Sequence, residues 1–438
     1  MKNSYSSGSY HPQTLRFAGV VTLLFLFALA RVFRPMSDWV YTQWLFSYQY
    51  GFVKRGLHGE ILRWLGLDGS YPVIVMLAAI FLIAASILML RMFMILLIGN
   101  QNLAQGGKHL LSSPPHVAGW LFFLLALFHS ATFQMLFYNL GRLEHIQLVL
   151  TVGCLLLMLR IERSDRVFHT GSPFTRWGLF LAVSVTIIVS LLIHEAFYFF
   201  FLPLLFMAWI YTDRGTTVFN ILRVALFICA SILTWAITVH GTLNIEQYYP
   251  YMEAMREQYG VRADYDSLIV VFRDTSMNLE YTRGWLLSSP RIPIYTVFFL
   301  MILSPFAILI WKLYKPDIQY GYHMIINGLL PNSSGLTPHK KRLFRAGIIL
   351  SCFSPLCLIP IGFDLFRWFG LTILNLFIMT SFLSADTEFR SNLISVSKKY
   401  WYLIVLSTGL SILLGGMDVF ISFSNEVYFT EWIELILN

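Results

Sequence analysis

Eleven apolar runs, near 17–34, 73–98, 117–138, 145–161, 177–194, 197–211, 218–239, 292–312, 346–363, 368–385 and 400–416, leave this chain few ways to fold. A helix needs about 20 predominantly apolar residues to cross the hydrocarbon core of a bilayer. The runs lack the alternation of barrel strands, so they predict helices whose backbone groups are satisfied within each segment. Pro203, Pro305, Pro355 and Pro360 interrupt some of them, and neighbouring helices in a bundle can re-pair the freed carbonyls. Only 12% of the residues are charged, about half the share of a soluble domain. The sequence predicts an all-α polytopic integral membrane protein with about 11 transmembrane helices, residues 1–438 forming a single transmembrane domain.

The polar, Ser-rich first 16 residues precede an apolar run with no small-residue cleavage site after it. That run reads as a retained first span. Cys154, Cys229, Cys352 and Cys357 all fall in apolar segments, which indicates packing and not a disulfide framework or a Cys-based metal site.

Charge sets the orientation. With the N-terminus in the cytoplasm, the cytoplasmic segments and span ends hold 18 Lys/Arg against 6 Asp/Glu, and the exterior segments 12 against 17. Arg160, Arg163, Arg166 and Arg176, then Lys340, Lys341, Arg342 and Arg345, then Lys398 and Lys399 cluster inside, where the positive-inside rule places them. The C-terminus is then exterior, and the inner (plasma) membrane of a bacterial cell is the expected location. The net charge of +8 reflects orientation and anionic lipid, and argues against a nucleic-acid partner.

Residues 35–72 form a first exterior loop rich in Trp, Tyr and Phe, carrying Asp38, Lys54, Arg55, His58 and Glu60. Such rings favour the headgroup boundary. The loop is expected to lie along the membrane surface as one or two amphipathic helices broken near Gly51 and Gly56. Further exterior turns deliver Arg142 and Glu144, His194 and Glu195, and Asp364 and Arg367. A large exterior loop covers 240–291, and a cytoplasmic loop covers 313–345. Charges at membrane depth are costly and face the protein interior, where they pair or do work. HEAFY at 194–198 lacks the second His of a zinc HExxH motif, and no GxSxG, P-loop or GxGxxG is present.

A cytoplasmic N-terminus, one span and then a long aromatic exterior loop with carboxylates resembles the GT-C class of integral membrane glycosyltransferases. The wider architecture is similar to O-antigen-type polysaccharide polymerases. The resemblance implies a catalytic carboxylate in the first exterior loop, with Asp38 the best positional match and Glu60 second; the paired DD, DE or ED of many members is absent. His194 and Glu195 are further catalytic candidates. Lys54, Arg55, His58, Arg142, Glu144, Asp364, Arg367, Trp39 and Trp44 are candidates for substrate binding. The implied partners are the lipid bilayer, a polyprenyl-phosphate-linked sugar donor and a glycan acceptor. Arg and Lys would hold the donor phosphate, a carboxylate would take the acceptor proton, and the loop's aromatic faces would suit pyranose rings. No organic cofactor is implied, and a divalent metal is compatible with carboxylates and phosphate. A lipid-linked sugar transporter or flippase and a non-catalytic envelope scaffold are the other readings.

Overall fold

The computed structural model describes residues 33–104, 117–137, 140–168, 173–212, 217–260, 262–288, 291–314, 347–362 and 364–414, with a few positions before residue 33. Nearly all of the expected first span, the expected cytoplasmic loop beyond Tyr314 and the segment after Leu414 lie outside the described residues. Among the described residues the chain is all-helical.

Four helices are long and apolar enough to cross a membrane: Tyr71–Gly99, Glu144–Ile161, Phe174–Ile193 and Val218–His240. A fifth span forms if Val117–Phe128 and Ser130–Phe137, bent by 42° at His129, count as one. Further apolar helical stretches are Leu202–Thr212, Leu303–Tyr314 (the end of the helix Arg291–Tyr314), Gly347–Leu358, Arg367–Leu383 and Trp401–Ser411. They fall in the expected runs, and among the described residues, which leave out nearly all of the first run, length and composition alone support four or five spans. Two of the other runs are interrupted: the chain breaks at Phe201 between Phe197–Phe200 and Leu202–Thr212, and a 3-10 turn at Ser354–Leu358 carries Pro355.

The outer faces of two long helices are apolar. Along Tyr71–Ala104 one stripe, Ile74, Ala78, Leu82, Ala85, Met89 and Met92, is buried, while Met76, Ile80, Ile83, Ile87 and Leu90 are exposed. Both stripes are apolar, as a helix between protein and lipid requires. Val218, Ile221, Val224, Ile228, Ile232 and Trp235 form a similar exposed stripe on Thr217–His240. Inside, Phe377 gathers the rings of Phe306, Phe122 and Phe93 at centroid distances of 4.7, 6.1 and 6.2 Å. It sits on Leu365–Leu383, which packs against Ser130–Phe137 and Tyr71–Ala104.

The first loop folds as two helices, Asp38–Trp44 and Leu57–Trp64. The first starts where the Ser37 side chain accepts from Val40 N–H, an N-cap that satisfies an orphan donor. Gly51 at φ 112° and Gly56 separate the two. The rings differ from an array lying on a surface: Tyr41, Trp44 and Phe46 are buried in the protein, while Phe52, Ile61, Trp64 and Leu65 stay exposed. Gly59 packs so closely that a Cβ would collide with the Phe46 carbonyl. The close approach is to this chain's own backbone.

Residues 240–291 form helices Tyr248–Tyr259, Tyr265–Leu268 and Thr275–Ser288 and dock on the first loop. Asp264 N–H donates to Thr42 Oγ1 at 2.8 Å, Lys54 N–H to the Gly241 carbonyl at 2.8 Å, and Tyr259 OH to Asp68 Oδ2 at 3.1 Å. The two loops form one layer over one end of the helices.

Candidate functional site

Four separate segments bring charged side chains together beneath that layer. Arg55 stands in the loop before Leu57–Trp64 with φ 65°, the one non-glycine residue with positive φ among those described. This is a sparsely populated conformation for a residue with a Cβ. It aims the guanidinium at Glu195: Nη2 donates to Oε1 at 3.0 Å, and Nε lies 3.2 Å from Oε2 and 3.3 Å from Oε1. Glu195 and His194 occupy the break between Ile193 and Phe197. Gln147 holds that break from the side, its Nε2 donating to the carbonyls of His194 at 2.9 Å and Ser190 at 3.1 Å.

Glu144 opens the Glu144–Phe168 helix and Asp364 caps Leu365–Leu383, both at helix N-termini, where backbone dipoles favour carboxylates. Arg367 meets both. It pairs with Glu144, and its Nη1 donates to Asp364 Oδ2 at 3.4 Å. Its guanidinium also lies over the rings of Phe200 and Trp368, 5.5 and 5.2 Å from their centroids. The charges of Arg142 and Arg55 both act on Arg367, so three guanidiniums share one neighbourhood. Gly141, at φ 95°, allows the turn before Arg142 to press against Met36 and Val40, and its carbonyl accepts from Trp44 Nε1 at 2.6 Å.

His194 lies between the two ion pairs. Its Nδ1 is 3.4 Å from Glu195 Oε2 and its Nε2 is 3.4 Å from Arg367 Nη2. Arg can only donate, so the second contact selects the tautomer with its proton on Nδ1, facing Glu195. Ala196 N–H, 3.2 Å from Nδ1, suits the other tautomer. The ring can therefore hold its proton on either side.

Burial raises the Glu195 carboxyl, but Arg55 and then His194 outweigh it and hold it well below the usual range. Burial pushes Lys54 down to about 8, although Glu195 opposes the shift. Lys54 Nζ donates to the Arg273 carbonyl at 2.6 Å. His58 is pushed down to about 4 by burial, with its Nε2 donating to the Gln43 carbonyl at 2.7 Å.

The candidate residues thus separate into two groups. Arg55, Arg142, Glu144, His194, Glu195, Asp364 and Arg367 converge, with Lys54 at the edge. Asp38 lies apart and exposed, 3.9 Å from Arg262. Glu60 is engaged within the first loop: Arg63 Nη2 donates to its Oε1 at 2.5 Å and Tyr48 N–H to its Oε2 at 3.0 Å, and the Arg63 bond lowers its pKa. Trp44 is packed edge-on against His58, and Trp39 is half-buried against the core. Gln147 escapes a reading of the sequence for charge, although an amide one turn after Glu144 in an apolar helix is a signal for such a brace. Among the described residues, no group of three or more His, Cys, Asp or Glu side chains is placed to hold a metal ion.

No family model matches the chain, and neither a curated protein nor a solved structure matches it.

Proposed function

We propose that this chain is an integral membrane glycosyltransferase that takes sugar from a polyprenyl-phosphate-linked donor at the exterior face of a bacterial inner membrane and passes it to a cell-envelope glycan or lipid-linked acceptor. One observation carries the reading: Arg55, Arg142 and Arg367 share a neighbourhood with Glu195 and His194 at the ends of apolar helices. Guanidiniums supply the planar, bidentate donors that a phosphate leaving group needs. The acceptor hydroxyl would attack the anomeric carbon as the bond from that carbon to the phosphate oxygen breaks. The phosphate departs with the electron pair, stabilised by arginine, and the hydroxyl proton passes to Glu195 or through it to His194. Geometry favours Glu195 over Asp38 and Glu60 as the base, because Glu195 alone of the three stands beside the arginines. A polymerase of the O-antigen type would use the same groups with a growing glycan as the donor.

The test is transfer of radiolabelled sugar by the purified chain in proteoliposomes. Transfer should occur, and Glu195→Gln should lower kcat by about 100-fold or more. An absence of transfer from every polyprenyl-linked donor tried would sink the enzyme reading.

A transporter or flippase for lipid-linked sugars has one observation in its favour. The bent pair of helices breaks at His129, which is fully buried, and transporters build their sites on such discontinuous spans. Flipping of a fluorescent lipid-linked sugar without transfer would decide for it.

A further inference from the structure

We propose that the Glu195 carboxylate is a tethered stand-in for a phosphate: it occupies the anion seat of Arg55 at rest, and the phosphate of an incoming ligand displaces it. The inference rests on the transferase reading for the chemistry that displacement starts, but the exchange itself concerns binding alone.

Two ion pairs in the cluster could be the exchangeable one, and their surroundings separate them. Arg367 and Glu144 are 11% and 5% exposed, and Arg367 is further engaged by Asp364, His194 and two aromatic rings. Breaking a pair so enclosed leaves an uncompensated charge in a dry site. Arg55 and Glu195 are somewhat more exposed, at 14% and 17%, and among the described residues their pair lies under no aromatic rings like those over Arg367, so it is the easier of the two to open. The backbone on each side is held independently of the pair. Lys54 N–H is tied to the Gly241 carbonyl, and Gln147 ties the carbonyl of His194. Exchange therefore needs only side-chain rotation.

The local charges are balanced: Lys54, Arg55, Arg142 and Arg367 face Glu144, Glu195, Asp364 and Asp274. An arriving anion therefore has to take the place of a carboxylate already seated on a guanidinium. The displaced carboxylate also has somewhere to go, since its Oε2 already lies 3.4 Å from His194 Nδ1. Leaving Arg55 removes the influence that holds its proton affinity low. A phosphate arriving at Arg55 would thereby convert Glu195 from a guanidinium partner into a competent base, so that base strength appears only with donor bound.

The experiment measures binding of farnesyl phosphate to the full chain in detergent, with inorganic pyrophosphate as the second ligand. Glu195→Gln removes the internal competitor and should tighten binding by about five- to tenfold, the worth of a partly exposed ion pair. Arg55→Gln should weaken it at least as much. Should Glu195→Gln fold poorly, Glu195→Asp draws the carboxylate back from Arg55 while keeping its charge, and it too should bind more tightly than wild type. Tightening seen only with farnesyl phosphate assigns the seat to a lipid-linked phosphate, and equal tightening with pyrophosphate assigns it to phosphate in general. Wild-type binding that Glu195 substitutions leave unchanged or weaken, with melting temperature preserved, overturns the exchange but spares the transferase reading. If no variant binds either ligand, both fall.

Discussion

Lys54 Nζ reaches across from the first loop to the Arg273 carbonyl at 2.6 Å, so a buried ammonium adds to the bonds that join the two loops of the covering layer. Its folded pKa of about 8 lies below the ordinary lysine value of 10.5. Between those values the unfolded chain binds the proton and the folded chain does not, so stability rises with pH across that window. The cost of burying the charge is fully present below pH 8. Wild-type protein should gain about 3 kcal/mol of stability from pH 8 to 10.5 relative to Lys54→Met. Thermal melts of both in detergent at several pH values check this, and parallel curves would refute it.

Arg367 sits between two carboxylates, so its removal should be felt as uncompensated carboxylate charge more than as a lost contact. Arg367→Met is expected to cost about 3–5 kcal/mol by leaving Glu144 buried without its partner. Combining it with Glu144→Leu should restore much of the loss. A double-mutant cycle on melting temperatures reads the coupling, and simple additivity would show that the two are not partners.

Gly59 and Gly153 should respond oppositely to alanine. At Gly59 a Cβ meets the Phe46 backbone carbonyl, which no rotamer change relieves, whereas nothing lies within 4 Å of the Gly153 position. Gly59→Ala should destabilise by about 1–3 kcal/mol, and Gly153→Ala, inside a helix, should stabilise by up to about 1 kcal/mol. Chemical denaturation of the two variants gives the comparison.

Trp44 tests whether the aromatic loop serves sugar or structure. Trp44→Phe keeps a ring but removes the Nε1–H bond to the Gly141 carbonyl, which should cost about 1–2 kcal/mol. Transfer per folded molecule should stay within about twofold, because the ring is enclosed by protein. A selective rise in acceptor KM with unchanged stability would return Trp44 to the binding surface.

Much of the helical layout can be read from the apolar runs, because length and composition alone make a helix in lipid. The number of crossings cannot, since a break such as that at Phe201 depends on what packs around it. The site divides the same way. Glu60 and Arg63 stand at i, i+3 spacing, a local pair visible in the sequence. Asp38 is favoured by its place after the first apolar run, yet it opens a helix that is buried from Val40 to Trp44 and stays exposed at its first turn. The partnership of Arg55 with Glu195 rests on tertiary packing between distant segments, and no single-sequence period encodes it.

The order of synthesis gives the Arg367–Glu144 pair a biogenic consequence. Glu144 leaves the ribosome long before Arg367, so a membrane-inserted nascent chain carries an acidic helix end without its counter-ion. The end of that helix keeps an uncompensated carboxylate until Leu365–Leu383 arrives. Chains truncated before that point would carry Glu144 without the guanidinium that neutralises it in the folded protein.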